Sequence, residues 1–157
     1  MADMAAREAT RIRTARHPVQ TVSTIVGLLF LAVGIGGFIP GVTTQYDRLT
    51  FGGHHSGAML LGLFAVSVLH NLVHLLFGCA GLAMSTSPRR SRMYLVYGGA
   101  VYALLWAYGL FAVLTVPANV IPVNTADNWL HLGLAVVMIG TGIGMGRSLS
   151  SEGLPRG

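Results

Sequence analysis

Four long apolar runs, separated by short polar segments, dominate the pattern of hydrophobic and polar positions along the chain. They cover Val22–Ile39, Ala58–Ala83, Met93–Val116 and Trp129–Gly146. About 20 residues of α-helix cross the hydrocarbon core of a bilayer, and each run is close to that length or longer. A segment in lipid must satisfy its own backbone hydrogen bonds, and the alternation of a β-barrel is absent, so we expect helices. The pattern predicts an all-α, integral membrane four-helix bundle with spans at about 20–39, 57–83, 93–116 and 126–146.

Polar segments flank the predicted membrane domain, which covers residues 20–146. Residues 1–19 form a basic arm, and residues 147–157 form a short polar tail. The loop after the first run opens with Pro40 and the loop after the third opens with Pro117. Because the residue before a proline disfavours helical geometry, both prolines are expected to end a helix. The chain is therefore expected to be one membrane domain with two short terminal extensions.

The positive charges are expected to lie almost entirely on one side of the membrane. The chain has 53% hydrophobic and only 10% charged residues, whereas a soluble domain carries roughly a quarter charged residues. Its basic side chains are all arginine, and only Arg48 lies in the loops after the first and third runs. The others are Arg7, Arg11, Arg13, Arg16, Arg89, Arg90, Arg92, Arg147 and Arg156. Because positive residues stay in the cytoplasm, both termini and the middle loop are predicted to be cytoplasmic.

The same arginine clusters indicate the partners of the chain. Short basic clusters beside apolar runs are typical of contact with anionic lipid headgroups, so the bilayer is the expected partner at the cytoplasmic arginines. No basic stripe of the kind that binds nucleic acid is present, so no nucleic-acid partner is expected. A membrane-protein partner, or a second copy of the chain, remains open.

Glycine is abundant within the apolar runs. The chain has 21 glycines, and small residues allow helix backbones to approach closely in lipid. The glycines expected to pack against neighbouring helices are Gly34 in the first run and Gly140, Gly142, Gly144 and Gly146 in the fourth.

Two short segments place polar side chains inside the apolar runs. His70-Asn-Leu-Val-His74 and Asp127-Asn-Trp-Leu-His131 share the pattern Asn-x-[Val/Leu]-His-Leu, and both belong to runs that enter from the outside. This likeness indicates duplication of a two-helix hairpin. Positions four apart share a helix face, so His70 is expected to stack on His74, and Asp127 to contact His131.

Ionisable groups inside a bilayer usually face the bundle interior and meet one another there. We therefore expect one polar cluster of His70, Asn71, His74, Asn124, Asp127, Asn128 and His131. Three functions remain open for it: structural hydrogen bonding between helices, binding of haem or a divalent metal, and a proton or small-solute relay. In the second case the candidate ligands are His70, His74, His131 and Asp127.

Motifs of hydrolytic enzymes are missing from the sequence. It contains neither Gly-x-Ser-x-Gly nor His-Glu-x-x-His, and its five acidic residues form no pair near a span. Its single cysteine, Cys79, cannot form an intrachain disulfide. The chain is therefore expected to be a non-enzymatic structural or accessory protein built around the polar cluster. A haem- or metal-binding redox protein is the alternative, and a relay is the second alternative.

Several motifs resemble a family of small four-span membrane proteins that is widespread in actinobacteria and known only as a domain of unknown function. The resemblance covers about Pro18 to Gly146 and rests on Gly37–Thr43 with Tyr46, His54–Ser56, Leu61–Phe64, Ser67–Gly78 and Asn124–Leu132. It implies a bacterial plasma-membrane protein with four spans. It implies no activity, so it leaves the three functions of the cluster open.

Overall fold

Four α-helices, a short 3-10 helix at Tyr46–Arg48 and a small sheet are the regular elements of the described part of the chain. The computed structural model describes residues 16–53, 56–112 and 121–151. Its helices are α1 (Pro18–Gly36), α2 (Val68–Met84), α3 (Pro88–Ala112) and α4 (Thr125–Ser151), and its strands are β1 (Thr43–Thr44), β2 (Met59–Leu60) and β3 (Phe64–Ala65). The predicted all-α bundle is confirmed. Most of the N-terminal arm, His54, His55, residues 113–120 and the last six residues lie outside the described residues.

Three of these helices are long and apolar enough to cross a membrane. They are Pro18–Gly36, Pro88–Phe111 and Thr125–Met145. α2 is also apolar but has 17 residues, which corresponds to about 26 Å of helix. The described chain therefore has three candidate spans and a shorter apolar helix.

The second apolar run is not one helix, which corrects the predicted span at 57–83. Its first part forms the antiparallel strands β2 and β3, with Leu60 opposite Phe64, and β1 pairs with the other edge of β2. Leu61 and Gly62 form the turn with positive φ angles of 54° and 70°. α2 begins only after Ser67, whose side chain accepts a hydrogen bond from the His70 amide.

α1 and α2 form an antiparallel hairpin whose backbones are in direct contact. A Cβ atom added to Gly78 would lie 2.8 Å from the Gly27 carbonyl oxygen, and one added to Gly81 would lie 2.8 Å from the Gly27 Cα. Directly after the C-terminal end of α2, the Ser85 carbonyl accepts a hydrogen bond from the Gln20 side chain at 3.0 Å. α2 therefore runs beside α1 as far as the first turn of α1.

α3 and α4 form a second hairpin of similar construction. A Cβ atom on Gly99 would lie 2.7 Å from Ile139 Cγ1, and one on Gly142 would lie 2.8 Å from Val96 Cγ2. Contacts within each hairpin outnumber those between the hairpins. Side chains from both hairpins, including Phe30 and Tyr102, share one buried core.

The two ends of the bundle differ in their chemistry. At one end, called the arginine end, α1 begins, α2 ends and α3 begins, and Arg16, Arg89, Arg90 and Arg92 lie there. The opposite end, called the sheet end, carries the three strands and the start of α4. There the Asn124 side chain donates to the Leu63 carbonyl at 2.8 Å and fastens the turn of the β2–β3 hairpin to α4.

Candidate functional site

Three histidine rings lie together in the half of the bundle nearest the sheet end. The rings of His70 and His74 stack on the same face of α2 with centroids 4.6 Å apart. The ring of His131, from α4, lies 6.4 Å from that of His70. The side chains of His74 and His131 are only 6% and 3% exposed. The structure therefore brings the histidines of the two repeated segments into one interior group.

One ring has a defined tautomer. His74 Nδ1 lies 2.9 Å from the carbonyl oxygen of His70, which can only accept a hydrogen bond. Nδ1 of a neutral His74 must therefore carry the proton, and Nε2 keeps its lone pair. In contrast, Nδ1 of His70 and Nδ1 of His131 are buried and have no partner within the described residues.

A cavity of about 90 Å³ lies between the two hairpins and is lined by all three histidines. We call it the histidine chamber. Ser67 and Tyr102 complete its polar lining, and its apolar walls are Leu69, Val73, Leu105, Ile121 and Pro122. Leu69 and Val73 are partly exposed on the outside of the bundle, so one wall of the chamber borders the lipid-facing surface.

Aromatic rings close the chamber on the side of the arginine end. Phe30 stacks on Tyr102 at 5.3 Å, and Phe77 meets Tyr102 edge-on at 5.6 Å. We call these three rings the aromatic floor. Its members also touch the histidines, because Phe30 lies 5.7 Å from His74 and Tyr102 lies 5.4 Å from His131. The histidine chamber is therefore separated from the arginine end by a layer of three aromatic rings.

Asp127 does not contact His131, contrary to the expectation from their spacing. Its Oδ2 atom accepts hydrogen bonds from the backbone amides of Asn124 at 2.9 Å and Ala65 at 3.1 Å. The Asn124 side chain in turn accepts a hydrogen bond from the Asp127 backbone amide at 2.9 Å. Asp127 therefore stabilises the first turn of α4 and ties it to β3, which is a structural role that the spacing alone did not reveal.

The two asparagines of the repeated segments occupy equivalent surroundings. Asn71 is fully buried, and a Cβ atom on Gly37, just after α1, would collide with its amide. Asn128 is buried against Gly109 of α3 in the same way. Both amide atoms of Asn71 and the Oδ1 atom of Asn128 have no partner within the described residues. Each asparagine thus sits against a glycine that belongs to the preceding helix of its own hairpin or directly follows it.

The glycines divide into those that pack and those that do not. Gly34 and Gly142 lie against neighbouring helices, since added Cβ atoms would be 2.8 Å from Leu75 and Val96. Gly140 and Gly144 have no neighbour within 4 Å, so the structure differs there from the sequence prediction. The surroundings of Gly146 are outside the described part. The α1–α2 contact is made by Gly27, Gly78 and Gly81, which the sequence did not lead us to expect. Gly78 and Gly81 form a Gly-x-x-Gly pair on α2, and this spacing is the signal that could have identified them.

The candidate metal ligands are not arranged around a common point. Among the described residues, no group of three or more His, Cys, Asp or Glu side chains is placed to hold a metal ion. Asp127 is bound to backbone amides, as described above. A chamber of about 90 Å³ is also far smaller than the roughly 300–1,000 Å³ of pockets that hold larger cofactors. The residues present therefore do not fit haem or a chelated metal in this arrangement.

Comparison with known proteins gives a family and no activity. No curated protein and no solved structure matches the chain. A family model described as "Domain of unknown function (DUF4383)" matches residues 20–144. This range includes all of the polar cluster, the aromatic floor and most of the four helices. The chain therefore belongs to the DUF4383 family.

Proposed function

We propose that this chain is a non-enzymatic multi-pass protein of the bacterial plasma membrane that binds a small, neutral hydrogen-bond donor in its histidine chamber. Both termini are in the cytoplasm, and the chamber lies in the outer half of the membrane. The observation that carries the proposal is the meeting of three imidazoles from two hairpins at one cavity. His74 donates from Nδ1 to the His70 carbonyl oxygen, so its neutral ring keeps an acceptor lone pair on Nε2.

The orientation rests on the unequal ends of the bundle. Arg16, Arg89, Arg90 and Arg92 gather at the arginine end, whereas Arg48 lies at the sheet end. Because arginine is retained in the cytoplasm, the arginine end is the inner one. The chain then enters and leaves the membrane on the same side, provided that α2 also crosses.

The geometry of the first hairpin supports a crossing α2. Asn71, one turn into α2, lies against Gly37 just after the end of α1, and Ser85, just after α2, is bonded to Gln20 in the first turn of α1. α2 therefore covers the same depth as α1, which is itself long enough to cross a membrane. Three spans and the antiparallel crossing of α2 give an even number of crossings.

The size and lining of the chamber define the class of ligand. An apolar cavity of roughly 150 Å³ holds benzene, so about 90 Å³ accepts only a smaller molecule or several waters. The apolar walls disfavour a charged ligand, since burying a charge without a partner is costly. Because His74 lines the chamber and its Nε2 can only accept, the ligand that pairs with it is a hydrogen-bond donor, such as the hydroxyl of an alcohol or the NH₂ of an amide.

The other two functions suggested by the sequence are less well supported. A relay across the bilayer needs polar groups on both sides of the chamber, and the aromatic floor of Phe30, Phe77 and Tyr102 interrupts such a path. Structural hydrogen bonding between helices needs paired polar groups, yet Nδ1 of His70 and Nδ1 of His131 have no partner among the described residues. Buried polar atoms without partners are rare and point to a bound molecule or water.

The geometry also argues against catalysis. Ser67 is engaged in capping α2, and the carboxylate of Asp127 is engaged by two backbone amides. No acid therefore orients an imidazole as a base, and no nucleophile is activated by one within the described chamber. Binding without reaction is the function that this arrangement supports best.

A pair of isosteric probes tests the proposal directly. The protein, labelled with ¹⁵N-histidine and held in lipid nanodiscs, is titrated with acetamide, which donates hydrogen bonds, and with acetone, which does not. Acetamide should shift the ring nitrogens of His74 in a saturable manner, and acetone should not. His17 serves as an internal control, because it caps α1 at the arginine end, far from the chamber.

The variant His74→Phe should fold and keep the aromatic contact with Phe30, but it should lose the saturable acetamide response at His131. Circular dichroism in the same nanodiscs checks that the bundle is intact. Equal shifts at His17 and His74, or equal responses to acetone and acetamide, would show that no donor-selective site exists.

A further inference from the structure

An open groove lies at the arginine end, where α2 gives way to α3. Its volume is about 710 Å³, and its lining residues are Ala83, Met84, Ser87, Arg89, Arg90 and Met93. This volume falls within the roughly 300–1,000 Å³ typical of small-molecule sites. The groove combines two exposed guanidinium groups with an apolar wall and lies outside the histidine chamber.

The positive charge of this groove is not neutralised by the described part of the protein. The acidic residues described are Asp47 and Asp127, and both lie at the sheet end. Arg89, Arg90 and Arg92 are all exposed at the arginine end. Within the described part of the chain, these guanidinium groups are therefore open to an anion.

We propose that this groove binds an anionic phospholipid from the cytoplasmic leaflet. The phosphoryl oxygens of the lipid accept hydrogen bonds from Arg89 and Arg90, because the planar guanidinium group can donate two parallel hydrogen bonds to a phosphate. One acyl chain lies along Met84 and Met93, of which Met93 is 42% exposed in the chain alone. The apolar wall identifies the source of the phosphate as a lipid, since a free phosphate ion gains nothing from it.

The proposal depends on the proposed function only for the choice of leaflet. If the orientation were reversed, the same groove would face lipid of the outer leaflet. The histidine chamber takes no part in it, so an empty chamber would not affect the result.

Arg92 provides a matched control, because it shares the charge, the helix and the end of the bundle but does not line the groove. The purified full chain in a neutral detergent is titrated with phosphatidylglycerol, and the melting temperature is followed. Phosphatidylglycerol should raise the melting temperature saturably, whereas phosphatidylcholine and inorganic phosphate should not. Arg90→Gln should weaken the apparent lipid affinity about fivefold, and Arg92→Gln should weaken it less than twofold.

Each other outcome contradicts the proposal. Equal losses in Arg90→Gln and Arg92→Gln would show nonspecific attraction to the basic end. An equal effect of phosphatidylcholine would remove the role of charge, and an equal effect of inorganic phosphate would remove the role of the acyl chain. Retention of phosphatidylglycerol in native mass spectra of the wild type, and its loss in Arg90→Gln, provides an independent measurement.

Discussion

Replacing Gly78 by alanine tests the direct contact between the backbones of α1 and α2. The new methyl carbon would lie 2.8 Å from the Gly27 carbonyl oxygen and 2.6 Å from Leu31 Cγ. The leucine side chain can rotate away, but the backbone oxygen is fixed in α1. Ordinary carbon–oxygen contacts are about 3.3–3.6 Å, so the helices must separate by roughly half an ångström.

The expected magnitude follows from two opposing effects. Overpacking of a tight interface costs about 1–3 kcal/mol, and a clash with backbone as well as side chain places this change near the upper limit. Alanine is a better helix former than glycine by about 0.5–1 kcal/mol, which offsets part of the loss. We expect Gly78→Ala to lower the free energy of unfolding by about 2 kcal/mol.

Gly140→Ala is the matched control, because it makes the same chemical change where no atom lies within 4 Å. Only the gain in helix propensity remains there, so this variant should be as stable as the wild type or up to about 1 kcal/mol more stable. The assay is reversible unfolding of the purified protein in mixed micelles by increasing amounts of SDS, followed by circular dichroism. If Gly78→Ala and Gly140→Ala unfold at the same amount of SDS, α1 and α2 do not meet at Gly27 and the packing argument is refuted.

Three further predictions concern the polar groups and the orientation. Asn71→Leu removes two buried amide atoms without described partners, so the free energy of unfolding should stay the same or rise by up to about 1 kcal/mol. A clear loss of stability would show that the amide binds a water or a ligand. Asp127→Asn weakens the bonds to the Ala65 and Asn124 amides and should cost about 1–2 kcal/mol, with faster hydrogen exchange at Ala65. Alkaline phosphatase fused after Pro88 should be inactive and fused within residues 43–52 active; the reverse pattern would overturn the orientation.

The general architecture was predictable from the sequence because membrane proteins obey a simple energetic rule. A long apolar run in lipid can satisfy its backbone only as a helix, so run lengths alone predicted the four α-helices of the described residues. The grouping of His70, His74 and His131 followed from the cost of exposing ionisable side chains to lipid. Neither prediction required knowledge of side-chain contacts.

The errors arose where apolar composition fits two structures equally well. The stretch from Ala58 to Val66 is continuously apolar, and such a run is compatible with a buried strand or a helix. The turn at Leu61-Gly62 and the cap at Ser67 decide in favour of the hairpin, and a single glycine in an apolar run is a weak turn signal. The partner of Asp127 was equally hidden, because Ala65 is far from it in sequence and meets it only through this unexpected hairpin.

The two hairpins help to explain why the chamber lies where it does. In each, an asparagine of the second helix is buried against a glycine at the end of the first, Gly37 or Gly109, and a histidine follows one turn later. The two hairpins therefore share this local geometry, and a histidine from each of them lines the chamber between them. The two hairpins also differ. The first carries His70 and has the strands of the sheet between its two helices in sequence, and the second carries Asp127, which fastens the sheet to α4. The junction of the two hairpins carries polar groups from both and is packed less closely than either hairpin, and this looser packing leaves the space of the histidine chamber.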